Sequence, residues 1–115
     1  MILEITPHGA NPAEQIRDRI SGLITTGALA RGDRLPSVRQ LATDLEVAPG
    51  TVAKAYRALE SDGLIVSRAG AGTRVSEDAS SVSPAVARAA RRLASTGRQD
   101  GLDLEEAVRV LRAMW

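Results

Sequence analysis

The fold of this chain is decided by residues 37–62, SVRQLATDLEVAPGTVAKAYRALESD. Ser37 followed by Gln40 is the capping-box pattern that marks the start of a helix. Pro49 suits the first turn of a second helix, because its missing N–H is not needed there. Residues 46–48, between the two segments, are interpreted as a tight turn. The stretch therefore predicts two short helices joined by a tight turn.

Each of these helices carries apolar residues on one side. Positions that recur every three or four residues share a helix face, and small and aliphatic side chains occupy them here. The predicted buried residues are Val38, Leu41, Ala42, Leu45, Val52, Ala55 and Leu59, with Val47 as an apolar plug in the turn. The residues of the second helix predicted to face solvent are Gly50, Thr51, Ala53, Lys54 and Arg57. Tyr56 fits two interpretations, an edge residue of the core or a hydroxyl donor at the surface.

A β-hairpin is predicted directly after the second helix, which Gly63 ends. Residues 64–67 and 73–75 read as two short strands, and residues 69–72, AGAG, form a glycine-rich turn between them. Two helices followed by such a hairpin indicate a winged helix-turn-helix. In that fold the second helix enters the major groove of DNA by its N-terminal end.

A further helix is predicted upstream, beginning at Pro12. Asn11 is its cap, Glu14 completes a capping-box pattern, and Gly27 ends it. Its apolar stripe is formed by Ile16, Ile20, Leu23 and Ile24. We interpret residues 27–37 as a connector, because they contain turn and extended-chain signals. The first six residues, MILEIT, fit either a short strand or an unstructured leader.

The composition changes after Ser76, where residues 77–84, EDASSVSP, are small, polar and proline-bearing. We therefore predict a boundary that divides the chain into a winged domain at 1–76 and a helical tail at 77–115. One tail helix is expected from Ser83 to Thr96, and Gly97 is expected to end it.

A second tail helix begins with the capping-box pair Asp103 and Glu106. The apolar stripes of the two tail helices are Val86, Ala89, Ala90 and Leu93, and Leu104, Val108, Leu111 and Trp115. Isolated helices of this length are marginally stable. Their stripes must therefore pack against the first domain, against each other or against a second copy of the chain.

The composition limits the classes of function. The 115 residues include no Cys and one His, at position 8, so neither a disulfide, a thiolate metal site nor a catalytic constellation is predicted. We expect no enzyme activity, no cofactor and no metal. No apolar run has the length of a membrane span or a signal peptide, and a cytoplasmic protein is expected. The net charge of +1 means that a basic surface can arise only from uneven distribution of charge.

Residues 31–76 resemble the winged helix-turn-helix domain of the GntR family of bacterial transcription regulators. The resemblance lies in G-x-x-LPS-x-R-x-LA, then V-x-x-x-TV-x-x-AY-x-x-LE-x-x-GLI, then a glycine-containing wing. It extends back to about residue 11, and the short tail is similar to that of the YtrA subfamily, in which a small helical region mediates dimerisation. The resemblance implies a mainly α fold with a small β-wing, followed by two C-terminal helices.

The resemblance also assigns roles by position. Arg39 matches an arginine that contacts backbone phosphate, although it also has Asp33 or Asp44 as candidate ion-pair partners. The residues that match the start of the recognition helix are Ala48, Pro49, Gly50 and Thr51. Lys54 and Tyr56 match positions that face or flank the DNA backbone. The residues that match the loop approaching the minor groove are Arg68, Gly70, Gly72 and Thr73. The tail residues implied in dimerisation are Val86, Leu93, Leu104, Val108, Leu111 and Trp115.

The reading end of the recognition helix departs from the family pattern. Ala48, Pro49, Gly50 and Ala53 stand where other members often have Ser, Thr or Arg, so few side chains remain for bidentate base contacts. We therefore expect specificity to rest on methyl contacts, close backbone approach and DNA shape. Ala48 also lacks a capping oxygen, which leaves the first N–H groups of the helix to a phosphate or to water.

The expected function is that of a dimeric transcription regulator, a repressor that reads a palindromic operator in double-stranded DNA. The resemblance implies transporter operons, and the regulator's own gene, as targets; whether a small-molecule effector takes part is left open. The alternative is a winged-helix module that binds a protein partner in place of DNA. The near-neutral charge and the sparse reading end of the recognition helix keep that alternative open.

Overall fold

The computed structural model describes residues 3–5 and 11–115, and the chain divides into two compact units between Ser81 and Val82. The elements of the first unit are α1 (Pro12–Thr25), α2 (Val38–Leu45), α3 (Pro49–Ser61), β1 (Ile65–Arg68) and β2 (Gly72–Val75). Those of the second unit are α4 (Pro84–Gln99) and α5 (Leu104–Met114). The predicted fold class, mainly α with a small β-wing, is confirmed.

Helix α1 begins and ends where the sequence predicts. The Asn11 side chain accepts a hydrogen bond from the Glu14 backbone N–H at 3.0 Å, which satisfies one of the unpaired donors of the first turn. At the other end, Gly27 follows the helix with a φ of 80°, a conformation that glycine adopts without steric cost. The buried face of α1 consists of Ala13, Ile16, Ile20 and Ile24.

The turn between α2 and α3 has two features that the sequence did not indicate. Ser37 accepts a hydrogen bond from the Gln40 N–H, but the Gln40 side chain donates to Asp44 at 2.8 Å, so only half of the predicted capping box forms. Glu46 has a φ of 57°, the left-handed conformation usually occupied by glycine. This conformation lets the Val47 N–H donate to the Ala42 carbonyl at 3.0 Å, and Val47 packs on the core as predicted.

The three helices and the hairpin enclose an aliphatic core. Its buried members are Ile16, Ile20, Ile24, Leu35, Leu41, Ala42, Val52, Ala55, Tyr56, Leu59, Ile65, Val75 and Ala79. Apart from Tyr56, they are all aliphatic, as the near absence of aromatic residues predicts. Ala79 belongs to this core, and the Arg31 Nε donates to its carbonyl at 2.9 Å. Residues 77–81, beyond the predicted boundary at 76, therefore stay with the first unit.

The predicted hairpin is confirmed. Strands β1 and β2 pair antiparallel, in a register that runs from Ile65 opposite Val75 to Arg68 opposite Gly72. A third segment, which lies in the predicted connector at residues 27–37, adds to the edge of β2. The Leu35 N–H donates to the Thr73 carbonyl and the Val75 N–H donates to the Asp33 carbonyl, each at 2.8 Å. The wing is therefore a small sheet of two strands and one bridging segment.

In the second unit, the prediction that Gly97 ends α4 is wrong. The helix continues to Gln99 and ends at Gly101, which has a φ of 80°. The Gly101 N–H donates to the Arg98 carbonyl and the Leu102 N–H to the Gly97 carbonyl, the pair of bonds that defines a Schellman motif. Gly97 is buried within the helix, and a Cβ built on it would lie 3.7 Å from Leu102 Cδ1.

The remaining expectations concern the ends of the chain. The predicted capping box of Asp103 and Glu106 forms in full at the start of α5. Leu3 and Ile5 pack on the core of the first unit, and no strand is assigned to residues 3–5. The rest of the predicted MILEIT strand, and His8, lie outside the described residues. Within the described ranges, no helix combines the length and apolarity that a membrane span requires.

Candidate nucleic-acid interface

The N-terminus of α3 is exposed and has no side-chain cap. Ala48, Pro49 and Gly50 are all solvent-exposed, and no side chain accepts a hydrogen bond at the cap position. The Thr51 N–H donates to the Ala48 carbonyl at 3.0 Å, so the prediction of several open N–H groups is too broad. In the described part of the chain, Gly50 keeps an N–H without a protein acceptor. An open N–H at the positive end of the helix dipole attracts an anion.

Arg39 on α2 and Lys54 on α3 are exposed cations. The alternative partners proposed for Arg39 are engaged elsewhere: Asp33 accepts from the Ala30 N–H at 2.9 Å, and Asp44 accepts from Gln40. The ion pair formed between described residues joins Arg17 to Asp62. Neither Arg39 nor Lys54 forms an ion pair within the described ranges, so the donors of both side chains remain available to a ligand.

Tyr56 belongs to the core. Its side chain is buried, with 3% of the residue exposed, and its hydroxyl donates to the Pro36 carbonyl at 2.7 Å. Burial raises the pKa of Tyr56 to about 12, so the hydroxyl is protonated at neutral pH. A phenol has one proton to donate, and here that proton is used. Of the two interpretations of Tyr56, the structure supports the core residue, and its hydroxyl has no proton left for a phosphate.

The wing presents its tip to solvent and joins its inner face to α3. Arg68 is exposed at the end of β1, and Gly70 in the loop has a φ of 79°. On the inner face, the Ser67 hydroxyl donates to Glu60 Oε1 at 2.9 Å and lies 3.1 Å from the Thr73 hydroxyl. Because Ser67 uses its proton on Glu60, Thr73 is the donor in the second bond. Ser67 therefore joins the wing to α3, and Thr73 supports Ser67 from the neighbouring strand.

Gly72 allows a close approach at the base of the wing. It has a φ of 75°, and a Cβ built on it would lie 3.1 Å from both the Nε and an Nη atom of Arg34. Arg34 and its bridge partner Arg74 were not selected from the sequence. Their one sequence signal is the alternation of exposed and buried positions along β2, which became informative only when the pairing with residues 32–35 was known.

The second unit carries an apolar surface, which we call the tail face. It is lined by Val86, Ala89, Ala90, Leu93, Ala94, Leu104, Ala107, Val108, Leu111 and Trp115. The six residues predicted for dimerisation all lie on it. The exposed fractions are large for apolar residues, 77% for Leu104 and 99% for Trp115. Neither tail helix has a large buried side chain, because α4 buries only Ala87 and Gly97 and α5 buries none.

The acidic and metal-binding side chains of the described residues do not cluster into a metal site. Among the described residues, no group of three or more His, Cys, Asp or Glu side chains is arranged to hold a metal ion. The arginines of α4 at 88, 91 and 92 are exposed, as expected for a solvated helix face. The groups of the first unit that suit an anionic ligand are exposed cations and the N-terminus of α3.

Comparison with protein families and curated sequences identifies related proteins. The model of the gntR family of bacterial regulatory proteins matches residues 12–75. The HTH-type transcriptional repressor YtrA of Bacillus subtilis is 43% identical over 79 residues, which are 68% of this chain and 61% of that protein. The HTH-type transcriptional regulator Rv1152 of Mycobacterium tuberculosis is 40% identical over 98 residues, which are 85% of this chain and 80% of that protein. The matched region thus spans less than two thirds of the Bacillus repressor.

Solved structures support the same relationship. YtrA from Sulfolobus acidocaldarius, a GntR-family transcription factor, is 35% identical with a TM-score of 0.62, covering 84% of this chain and 99% of its own. The DNA-binding domain of AraR in complex with operator ORX1 is 26% identical with a TM-score of 0.56, covering 66% of this chain and 92% of its own. The family and these related proteins are transcription regulators and not enzymes.

Proposed function

Since the chain belongs to the GntR family of bacterial regulatory proteins and is a DNA-binding transcription regulator, we propose that it acts as a dimeric repressor of a palindromic operator. The observation that carries this proposal is the exposed N-terminus of α3, which has no side-chain cap, accompanied by the exposed cations Arg39 and Lys54, which form no ion pair with any described residue. An operator of this symmetry presents two equivalent half-sites, one to each recognition helix of a twofold dimer.

Phosphate contacts provide the affinity in this proposal. The Gly50 N–H donates to a phosphate oxygen at the mouth of the major groove, where the helix dipole favours negative charge. Arg39 on α2 and Lys54 on α3 contact backbone phosphates, and Arg68 and Gly70 bring the tip of the wing to the minor groove. Such contacts position a protein on duplex DNA but carry little information about the base sequence.

Few groups of the protein are available to distinguish one DNA sequence from another. The exposed groups at the start of α3 are the methyl group of Ala48, the Pro49 ring and the backbone of Gly50, with Thr51 partly exposed. These groups suit apolar contact with thymine methyl groups and close approach of the backbone to base edges. The remaining preference comes from the shape and deformability of the operator. Base substitutions outside the contacted positions are therefore expected to alter affinity.

The tail face supports a homodimer. Two helices cannot bury ten apolar lining residues against each other, and exposed apolar patches of this kind mark interaction sites. A second copy of the tail offers the same apolar surface, and a twofold axis lets each copy cover the other. The charged residues lie outside this face, so an apolar partner is favoured over a nucleic acid.

The proposed targets follow from the YtrA relationship. We propose a cytoplasmic repressor that controls transporter genes and its own operon, as the resemblance to the YtrA subfamily implies. An effector, if the regulator has one, would act by changing the relative placement of the two reading helices, since a ligand shifts an equilibrium only by its different affinity for two states.

The proposal is tested with DNA from upstream of the protein's own operon. Replacing Arg39 and Lys54 together with Ala is expected to weaken binding and reduce the slope of log affinity against log salt by about 1.8, or 0.9 for each lost phosphate contact. Binding is measured by fluorescence anisotropy over a salt series. The matched control, Arg88→Ala with Arg91→Ala, removes the same charge from α4 and should leave the slope unchanged.

Two results would contradict the proposal. A wild-type protein that leaves the upstream fragment unshifted at low salt would instead support a protein-interaction module. A wild-type protein that binds, with the same slope in the Arg39 and Lys54 variant, would remove those two residues from the contact surface while leaving DNA binding intact.

A further inference from the structure

The outer face of the wing carries three arginines, Arg34, Arg68 and Arg74, which lie outside the recognition helix α3. Residues directly opposite each other in a β-ladder project to the same side of the sheet, and alternate residues of one strand share a side. Arg74 pairs with Val66 on one side and with Arg34 on the other. Arg68 and Gly72 lie two residues along their strands on that same side. The inner side instead holds the buried Ile65 and Val75.

Arg34 and Arg74 each contact the backbone of a neighbouring segment. Arg74 donates from an Nη atom to the Gly32 carbonyl at 3.1 Å. Arg34 lies against Gly72, where a Cβ would approach its guanidinium to 3.1 Å. Within the described ranges, neither arginine forms an ion pair. Their guanidinium groups therefore retain unused donors, while much of the freedom of the side chains is already restricted.

The arrangement has an electrostatic cost. Like charges directly opposite each other on adjacent strands repel and destabilise the pairing. Arg34 and Arg74 form such a pair, and exposed Arg68 adds a third positive charge to the same face. An anion bound between these side chains would neutralise the repulsion. Two carboxylates, those of Glu77 and Asp78, line the same surface as Arg68 and Arg74, so the three arginines leave one positive charge in excess.

The position of this face identifies the anion. Arg68 at the tip of the wing already belongs to the proposed DNA contacts, and Arg74 and Arg34 continue from it toward the base of the sheet. A duplex carries one phosphate charge for about every 1.7 Å of its axis, so a row of arginines extending from a groove-binding tip meets further phosphates. Arginine suits this contact because its planar fork binds phosphate oxygens in pairs.

We infer that Arg34 and Arg74 bind backbone phosphates of duplex DNA along the outer face of the wing, beyond the contacts of α3. This inference rests on the proposed function and extends its contact surface. The Glu77 carboxylate lies at the base of the same face, with its Oε1 2.8 Å from a Cβ built on Gly32. It forms no ion pair with either arginine. Its negative charge limits the phosphate path at that end.

The test uses a mixed-sequence DNA duplex, because phosphate contacts do not require the operator. Arg34→Ala and Arg74→Ala are each expected to lower affinity about eightfold at 0.1 M salt and to reduce the salt slope by about 0.9. The double variant should reduce the slope by about 1.8. Arg34→Lys keeps the charge and should keep most of the slope. Glu77→Gln should raise affinity, since it removes a negative charge beside the path.

The matched control is Arg19→Ala, which removes an exposed arginine of the same unit from α1. Thermal unfolding of each variant shows whether the wing remains folded. If wild type binds the duplex and both alanine variants retain its slope, the inference is overturned, while DNA binding by α3 stands. An equal loss in Arg19→Ala also overturns it, because net charge alone would then explain the effect. If wild type binds neither this duplex nor the upstream fragment, the proposed function fails as well.

Discussion

Both compact units of the chain contain amphipathic helices, but the apolar side chains are buried in the first unit and exposed in the second. In the first unit, the stripes of α1, α2 and α3 face one another, and Ile16, Ile20, Val52 and Leu59 are fully buried. In the second unit, α4 and α5 carry stripes of similar spacing, yet Leu104 and Trp115 remain largely exposed. Three helices and a sheet can surround a core, whereas two short helices cannot. An amphipathic stripe thus indicates that a face will be covered, but not by what.

The largest expected effect tests what covers the tail face. Leu111→Asp places a carboxylate on each side of the proposed twofold contact and removes a leucine from both copies. With about 1.5–3 kcal/mol lost for each leucine, dimer affinity should fall by at least two orders of magnitude. Sedimentation velocity over a concentration series measures the change.

Val110→Asp is the matched control for the tail face. Val110 is 42% exposed on the same helix but does not line this face, so its variant should dimerise as wild type does. A wild-type protein that is monomeric both alone and on DNA would remove the role proposed for the tail. Equal dissociation in the two variants would place the contact elsewhere on α5.

A second prediction compares two leucines of equal size. Leu59 is 0% exposed and Leu104 is 77% exposed. Leu59→Ala should reduce the free energy of unfolding by about 2–5 kcal/mol, because it leaves a cavity in a close-packed core. Leu104→Ala should change the unfolding of the first unit by less than about 0.5 kcal/mol. Urea denaturation followed by Tyr56 fluorescence reports on the first unit; similar midpoints for the two variants would contradict the contrast.

The smallest effect concerns the polar group within the first core. Tyr56→Phe removes the hydroxyl bonded to the Pro36 carbonyl and should reduce the free energy of unfolding by about 1–2 kcal/mol. DNA affinity should be unchanged, because the hydroxyl is not available to a phosphate. A loss of DNA affinity without a loss of stability would restore Tyr56 to the contact surface.

The same hydroxyl predicts a pH dependence. The pKa of Tyr56 is about 12 in the folded chain and 10.0 for an unperturbed tyrosine. The unfolded chain therefore releases its proton first, so the stabilisation is complete below pH 10 and is lost as the pH rises toward 12. This loss should be absent in Tyr56→Phe. Since Tyr56 is the sole tyrosine, tyrosinate absorbance follows its titration directly, and titration at the ordinary value would contradict its burial.

Much of the first unit was predictable because its signals are local. Asn11, Pro49 and Gly63 mark helix ends through hydrogen bonds and backbone angles of near neighbours, and the observed ends agree with them. The hairpin was predictable for the same reason, since its strands are adjacent in sequence. Pairing of residues 32–35 with β2 was not predictable, because it joins segments far apart in the chain and turn signals obscured it.

The candidate site was predictable in part. The N-terminus of α3, Arg39 and Lys54 are exposed, as a DNA-contacting surface requires, and their contacts with DNA stay a prediction. The role of Tyr56 could be assigned only from the structure. Its position between the buried and exposed faces of a helix does not show which acceptor its hydroxyl bonds to. Gly97 was misjudged because glycine both ends helices and fits into close contacts inside them. Only a positive φ, found here at Gly101, distinguishes the two uses.

The sequence by itself determined the elements, their inward faces, the family and the sparse set of reading side chains at Ala48, Pro49 and Gly50. These properties depend on residue identity and on neighbours within a few positions. Only the tertiary structure decided that Arg34 faces Arg74, that Tyr56 donates to Pro36 and that residues 33–35 pair with β2. Each of those depends on which distant segments meet, and that is settled by the collective packing of the whole core.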